Sequence, residues 1–475
     1  MTIRALLTIV CLWAGYLTAR AQQTSAFTLE QCLDYALKEA VPVKNAILDE
    51  RIAKARVNET VGIGLPQVNG SVGLDHNQQL RRFFAVYDPS SPFFQNPIPG
   101  LEVGDVVAAR NFFQLPSTGD ASIRVSQLLF NGSYLVGLQA ANAYRELAEK
   151  NAGQTREQVV TAVSKAYYAV LINRERIKSF DANIGRVDSL LKTTELMIAN
   201  GFAEPLEADR LRVSLNNLIA ERNSFIRLQE ISLELLKFQM GYPMDQSIEV
   251  SGTLSEAEAA INLDSLVSDW HYRDRPDFQV LQANKKLQSL NIRNKFAEGM
   301  PVLSAYANLG YSTQSPNIGG LFTTRTPIDD NGQIGPDKWY PYSVFGISLS
   351  IPVFSGLQRT YKIQQEKLTL QKIENGERQL RAQIDMEVKE ALNKYTSSME
   401  TLKVQKDNMD LSAKIARVTR LKYTEGVGSN IEVVEAESSL RQSQVNYYNA
   451  LFDALVARID LIRALGKLNK SETSK

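Results

Sequence analysis

Residues able to carry out catalysis are scarce in this 475-residue sequence. It holds two histidines, His76 and His271, and two cysteines, Cys11 and Cys32. No G-x-S-x-G, H-E-x-x-H or P-loop run is present. With so few imidazoles and thiols, no zinc or copper constellation can be assembled. The chain is therefore expected not to be an enzyme and to need no metal or cofactor. The side chains whose spacing does suggest a function are carboxylates. Glu432 and Glu435 lie three positions apart, so a helix sets them on one face. They follow Gly426 and Gly428 in the run YTEGVGSNIEVVEA, residues 423–436. Gathered round an opening, such a pair repels anions and concentrates cations. In a first helical turn it equally well offsets the helix dipole. A weaker counterpart, MIANGFAEPLEAD at residues 197–209, places Gly201 ahead of Pro205 and Glu207, with Arg210 where a second acid would stand. Arg417, Arg420 and Lys422, just before the second turn, are either ion-pairing groups that hold it shut or a solvated helix face.

Both turns interrupt very long helical patterns. From Ser133 to Ala199 there is no proline, a stretch close to 100 Å long at about 1.5 Å per residue. A second such stretch runs over 356–424, where Ile384, Val388, Ala391, Tyr395, Met399 and Leu402 form a heptad-like seam. Val159, Val163, Ala166, Val170, Arg174 and Ile177 largely repeat it. Return helices are expected over 206–240 and 431–465, each closed by a glycine, Gly241 and Gly466. Gly201 and Gly426 are 225 residues apart, and so are Gly241 and Gly466. That register reads as an internal duplication.

Each half opens with a pair of shorter helices, over 28–62 split at Pro42 and over 263–297 split at Pro276. Next come runs of period two, apolar against small polar, over 66–75, 121–130, 301–312 and 342–354. Each is about 10 residues long, the length a tilted strand needs to cross a bilayer. The loops within these hairpins, 76–120 and 313–341, are long; Phe83, Phe84, Phe93 and Phe94 are expected to pack the first against itself. The order yields a first repeat at 22–241, a linker at 242–262, a second repeat at 263–466 and a polar tail at 467–475.

Residues 1–21 carry Arg4, an apolar run over 5–17 and Ala19-Arg20-Ala21, which reads as a secretory signal peptide cleaved near Ala21. Cys11 leaves with it, so Cys32 is expected to have no disulfide partner. The 53 basic residues lose Arg4 and Arg20, leaving 51 against 52 acidic ones, a balance that argues against nucleic acid as a partner. No other apolar run reaches the roughly 20 residues of a spanning helix. If the chain enters a membrane, it does so as strands. Four strands cannot close a barrel, and an open edge in lipid is costly, so membrane strands imply an oligomer that shares one barrel.

Phe130-Asn131-Gly132 and Phe354-Ser355-Gly356, the strand-to-helix junctions, together with Glu425 to Ala436, resemble the TolC-like outer membrane efflux proteins. The second run is similar to the family's G-x-G-S-x-x-D-V-x-D-A tip, and Asn200 to Asp209 is its weaker copy. The resemblance implies an α+β membrane protein, a trimer whose 12-stranded outer-membrane β-barrel continues into a periplasmic α-helical coiled-coil barrel. It further implies an inner-membrane pump and a periplasmic adaptor as partners, outer-membrane lipid around the barrel, and toxic small molecules or secreted polypeptides as cargo. Glu432 and Glu435 match the acidic gate positions, with Glu where the family often has Asp. Gly201, Pro205, Glu207, Gly426 and Gly428 match the helix-turn tips; in such an oligomer Arg417, Arg420 and Lys422 either bridge neighbouring protomers or remain a solvated helix face. The competing reading is a secreted structural or adhesive coiled-coil protein without a pore. Two amphipathic hairpins of membrane length would serve no purpose in such a rod.

Overall fold

In a computed structural model, residues 26–468 are described except 93, 95–97, 110, 112, 269 and 324–338. The expected signal segment, Phe93 and residues 469–475 of the expected tail thus lie outside the described residues. The element order is β1 (Ala26–Phe27), α1 (Leu29–Glu39), α2 (Val41–Ile63), β2 (Gln67–His76), β3 (Phe83–Val86), β4 (Val106–Ala109), β5 (Ser117–Asn131), α3 (Gly132–Ala199) and α4 (Pro205–Met240). It continues with β6 (Glu249–Val250), α5 (Glu256–Ala259), α6 (Leu263–Val267), a 3-10 turn at Tyr272–Asp274, α7 (Pro276–Ala297), β7 (Val302–Ser315), α8 (Gly320–Thr323), β8 (Tyr340–Ser350), α9 (Gln358–Thr424) and α10 (Asn430–Ala464). The chain forms two compact units. One, of strands, comprises Ala55–Asn142 and Ser289–Lys367; the other, of helices, comprises Met1–Lys54, Ala143–Gln288 and Leu368–Lys475.

In the strand unit, β2, β5, β7 and β8 form one antiparallel sheet in that order. The two expected hairpins are joined edge to edge by β5 and β7, with Ser117 opposite Ser315 and Asn131 opposite Val302. The register aligns the alternating patterns. Val125, Ala307 and Phe345 share a face, as do Ile123 and Leu309 beside them. The opposite face carries Asn69, Arg124 and Asn308 in one row. Val72, Phe345 and Ile347 are 76%, 72% and 71% exposed, so the apolar face has no cover from this chain. A β-bulge between Leu128 and Phe130 keeps Phe130 level with Leu303, on the apolar side.

Several expected boundaries move: the strands expected over 121–130 and 301–312 run over Ser117–Asn131 and Val302–Ser315. The strand expected over 342–354 stops at Ser350, because Pro352 has no N–H for a ladder. Gly356 and Leu357 then both take positive φ, 59° and 65°, so the helix expected from 356 starts at Gln358. The first helix of the second half is only α6, and Pro276 holds Arg275 extended, so no helix runs into α7 from the 3-10 turn at Tyr272–Asp274. The loop over 76–120 is not structureless. It folds into the β3–β4 ribbon, and Phe94 packs on the buried Tyr87 at 5.2 Å, while Phe84 stays exposed.

In the helical unit the seam residues are inside. Ile384, Ala391, Tyr395 and Leu402 on α9 are buried, as are Val159, Val163, Ala166 and Val170 on α3 and Leu451, Leu455, Ile459 and Ile462 on α10. Arg174 leaves its seam position to donate to the Val250 carbonyl at 2.6 Å, which pins the segment expected to be a linker. That segment is further fixed by a parallel pairing of β6 with β1 and by Tyr395, whose hydroxyl donates to the Ala259 carbonyl at 3.0 Å. Lys467 and the buried Leu468, assigned to the tail by sequence, belong to this unit; Lys467 Nζ donates to the Leu266 carbonyl at 2.9 Å.

The return helices end alike. At Gly241, Tyr242 N–H reaches the Lys237 carbonyl at 2.9 Å, and at Gly466, Lys467 N–H reaches the Ile462 carbonyl at 3.0 Å. Both are Schellman stops with left-handed glycine, φ 70° and 67°. A Cβ at Gly241 would stand 2.7 Å from the Glu39 carbonyl oxygen, and one at Gly466 would stand 2.7 Å from the Asp274 carbonyl carbon. Each return helix therefore ends against the backbone just ahead of the second short helix of its half.

Candidate functional site: the paired helix tips

The α3–α4 and α9–α10 turns lie together at one end of the helical unit. Gly201 and Gly426 have φ 78° and 76° and close identical Schellman motifs. Phe202 N–H bonds the Met197 carbonyl at 2.8 Å, and Val427 N–H bonds the Lys422 carbonyl at 2.9 Å. Pro205 occupies the first turn of α4, where its missing N–H costs nothing. Ser429 caps α10, its hydroxyl accepting from Ile431 N–H at 3.3 Å. Gly428 is required by space: a Cβ there would lie 2.9 Å from the Tyr423 nitrogen.

Tyr423 ties the two turns together. Its hydroxyl donates to Glu207 Oε2 at 2.9 Å and shares a hydrogen bond of 3.0 Å with Thr194 Oγ1. Burial pushes its pKa up; Glu207 pushes it the same way, while Thr194 and Asn430 act against them. Asn430 is 4% exposed, and neither polar atom of its side chain makes a well-formed hydrogen bond. A cleft of about 610 Å³ between the turns is lined by Glu204, Glu207, Arg210, Tyr423, Glu425 and Asn430, among others. Val433 and Leu211 close the apolar core beneath it.

The sequence-nominated acids are divided. Glu207 is engaged by Tyr423, whereas Glu432 and Glu435 are exposed on α10. The basic residues divide too. Arg417 and Lys422 are exposed, but Arg420 makes an ion pair of 3.1 Å with the buried Glu437 of its own chain. Arg186 reaches the other Glu437 oxygen at 3.3 Å. One carboxylate thus links α3, α9 and α10. Arg420, expected either to bridge protomers or to lie on a solvated helix face, thus has a partner within its own chain. Two residues escaped sequence reading, Tyr423 and Glu437. A buried tyrosine one turn before a glycine stop is a signal for the first; Glu437 falls on a helix face that pattern alone assigns to packing. Among the described residues, no group of three or more His, Cys, Asp or Glu side chains is arranged to hold a metal ion.

Residues 272–467 match the family described as outer membrane efflux protein. TtgC of Pseudomonas putida, a probable efflux pump outer membrane protein, is 22% identical over 334 residues, 69% of this chain. The match spans 64% of the length of TtgC. The probable outer membrane lipoprotein SilC of Salmonella typhimurium is 23% identical over 91% of this chain and 84% of its own. In fold, the chain is similar to the outer membrane protein VceC of Vibrio cholerae, with a TM-score of 0.68 and 15% identity over 92% of this chain and 96% of VceC. The likeness in fold therefore extends across both halves, beyond the matched segment.

Proposed function

We propose that the protein is the outer membrane channel of a tripartite efflux system, a passive exit for small toxic molecules that a pump delivers from within. The observation that carries this reading is the four-stranded sheet. Its apolar residues are in register on one face and exposed, and the edge strands β2 and β8, 10 and 11 residues long, are each paired on one side only among the described residues. Lipid is the solvent such a face fits, and unpaired edges in lipid demand neighbours. Three copies joined β8 to β2 make a 12-stranded barrel, wet face inward, and the remaining polar and apolar helix surfaces associate as a periplasmic coiled-coil barrel. Exposed apolar seams on α4 (Leu228, Ile231, Leu235, Phe238) and on α9 (Val404, Leu411, Ile415, Val418) support that association.

On this reading the chain arose by duplication of one helix, helix, strand, strand, long helix, return helix unit, with repeats at 22–241 and 263–466. The signal segment is removed near Ala21, and the mature protein sits in the outer membrane with a periplasmic extension. The tips form the gate. Glu432 and Glu435 line it, Tyr423 with Glu207 latches it, and an adaptor with its inner-membrane pump engages it. The likeness to TtgC, a probable efflux pump outer membrane protein, supports efflux over the rival of a poreless adhesive rod. Detergent extraction of the outer-membrane fraction, mass determination and planar-bilayer recording test the proposal. A trimer with discrete conductance is expected; a water-soluble monomer without conductance refutes it.

A further inference from the structure

The wet face of the sheet is nearly without charge. On β2, β5, β7 and β8 its charged side chains are Asp75, Asp120 and Arg124. Asp120 accepts a hydrogen bond from the Tyr342 hydroxyl at 2.7 Å. Arg124 lies four residues along β5 from Asp120, about 13 Å away at the strand rise. It makes no ion pair among the described residues. Its guanidinium lies 5.6 Å from the Tyr306 ring centroid, a contact that restrains the cation without neutralising it. Across the strands it is flanked by Asn69 and Asn308, and the Asn308 oxygen is buried without a hydrogen-bond partner. The neighbouring rows are neutral, and β8 presents no charged side chain to this face. A copy joined through that edge would bring no counter-charge.

We propose that Arg124 forms an anion-favouring level within the barrel lumen, one cation per protomer set apart from the carboxylates Asp75 and Asp120 at the far end of the same face. The inference rests on the channel reading above, because it needs the wet face to line a pore. Three guanidiniums in one cross-section of a water-filled tube raise the local anion concentration and lower that of cations. Negatively charged or zwitterionic solutes are the class this belt favours in transit.

The full-length protein in planar bilayers under a potassium chloride gradient tests it through the reversal potential. In Arg124→Gln the chloride-to-potassium permeability ratio is expected to fall about twofold or more, and in Arg124→Lys to stay at the wild-type value. Asn308→Asp leaves Arg124 in place but sets a carboxylate beside it, so the same fall is expected there. Conducting Arg124→Gln and Asn308→Asp channels with the wild-type reversal potential overturn the proposal. A wild-type protein that assembles but does not conduct overturns the channel reading, and this inference with it.

Discussion

Tyr423 bonds Thr194 on α3 and Glu207 on α4 with one hydroxyl, so its removal tests the proposed latch separately from the proposed acidic filter. Tyr423→Phe keeps the ring in the core and deletes only the oxygen, at a cost of about 1–3 kcal/mol because one partner is a carboxylate. The expected outcome in bilayer recording is a higher resting open probability with unchanged ion selectivity. Glu432→Ala with Glu435→Ala is expected to do the reverse, weakening cation preference and cation block while leaving resting closure alone. A second titration belongs to Glu157 on α3, where burial lifts the carboxyl to about 6, against the pull of Arg463 and Arg275 and with a small push from Asp277. The folded state then holds a proton that the unfolded chain has released. Stability from this group is greatest below the unfolded value near 4.5 and is lost as pH rises through 6. Glu157→Gln is therefore expected to gain about 1–2 kcal/mol at pH 8 and nothing at pH 4, read as a pH-dependent shift in thermal midpoint. Arg275 retains Asp277 and Glu387 as partners in that variant.

At the scale of elements, the four glycine stops form two classes. Gly201 and Gly426 have positive φ with nothing near a would-be Cβ, whereas Gly241 and Gly466 have positive φ and backbone within 3 Å. An alanine at Gly426 costs only the left-handed conformation, about 1–2 kcal/mol. At Gly466 it must also push away Asp274 and Arg275, adding about 1–3 kcal/mol. Denaturant unfolding of Gly426→Ala and Gly466→Ala should show that ranking; equal midpoints would refute it. The stops themselves were legible, because a glycine after an unbroken apolar periodicity has a single backbone meaning. So was strand character, since period two over 10 residues leaves little else. What pairs with what was not. Ser117 meets Ser315 and Tyr423 meets Glu207 across most of a half-chain, and no local pattern encodes such distances. The break before α7 was read at Pro276 but its width was not, because the 3-10 turn at Tyr272–Asp274 depends on Asp274 accepting from His271 N–H.

For the whole molecule, the prediction concerns the exposed apolar face. Ile347 is 71% exposed in the single chain, level with Ala305 on the same side. A basic side chain there costs about 2–4 kcal/mol near the bilayer midplane in each copy. Ile347→Arg is expected to lower the yield of trimer in the outer-membrane fraction, whereas Ser348→Arg, one residue on and facing the other way, is expected to leave it near wild type. Equal yields would mean that lipid does not meet this face.

The central β5–β7 seam also fixes an order of events in time. The first half supplies only β2 and β5 to the sheet, and a two-stranded ribbon is marginal by itself in water. Its stabilising neighbour β7 is made only after the whole of α3 and α4 has followed. If the chain is exported as proposed, the amino-terminal hairpin waits, apolar face and edges uncovered, for a strand not yet delivered. On that reading the hairpin of β2 and β5, rather than the helices, is the part whose exposed surface a slow biogenesis would leave open to aggregation.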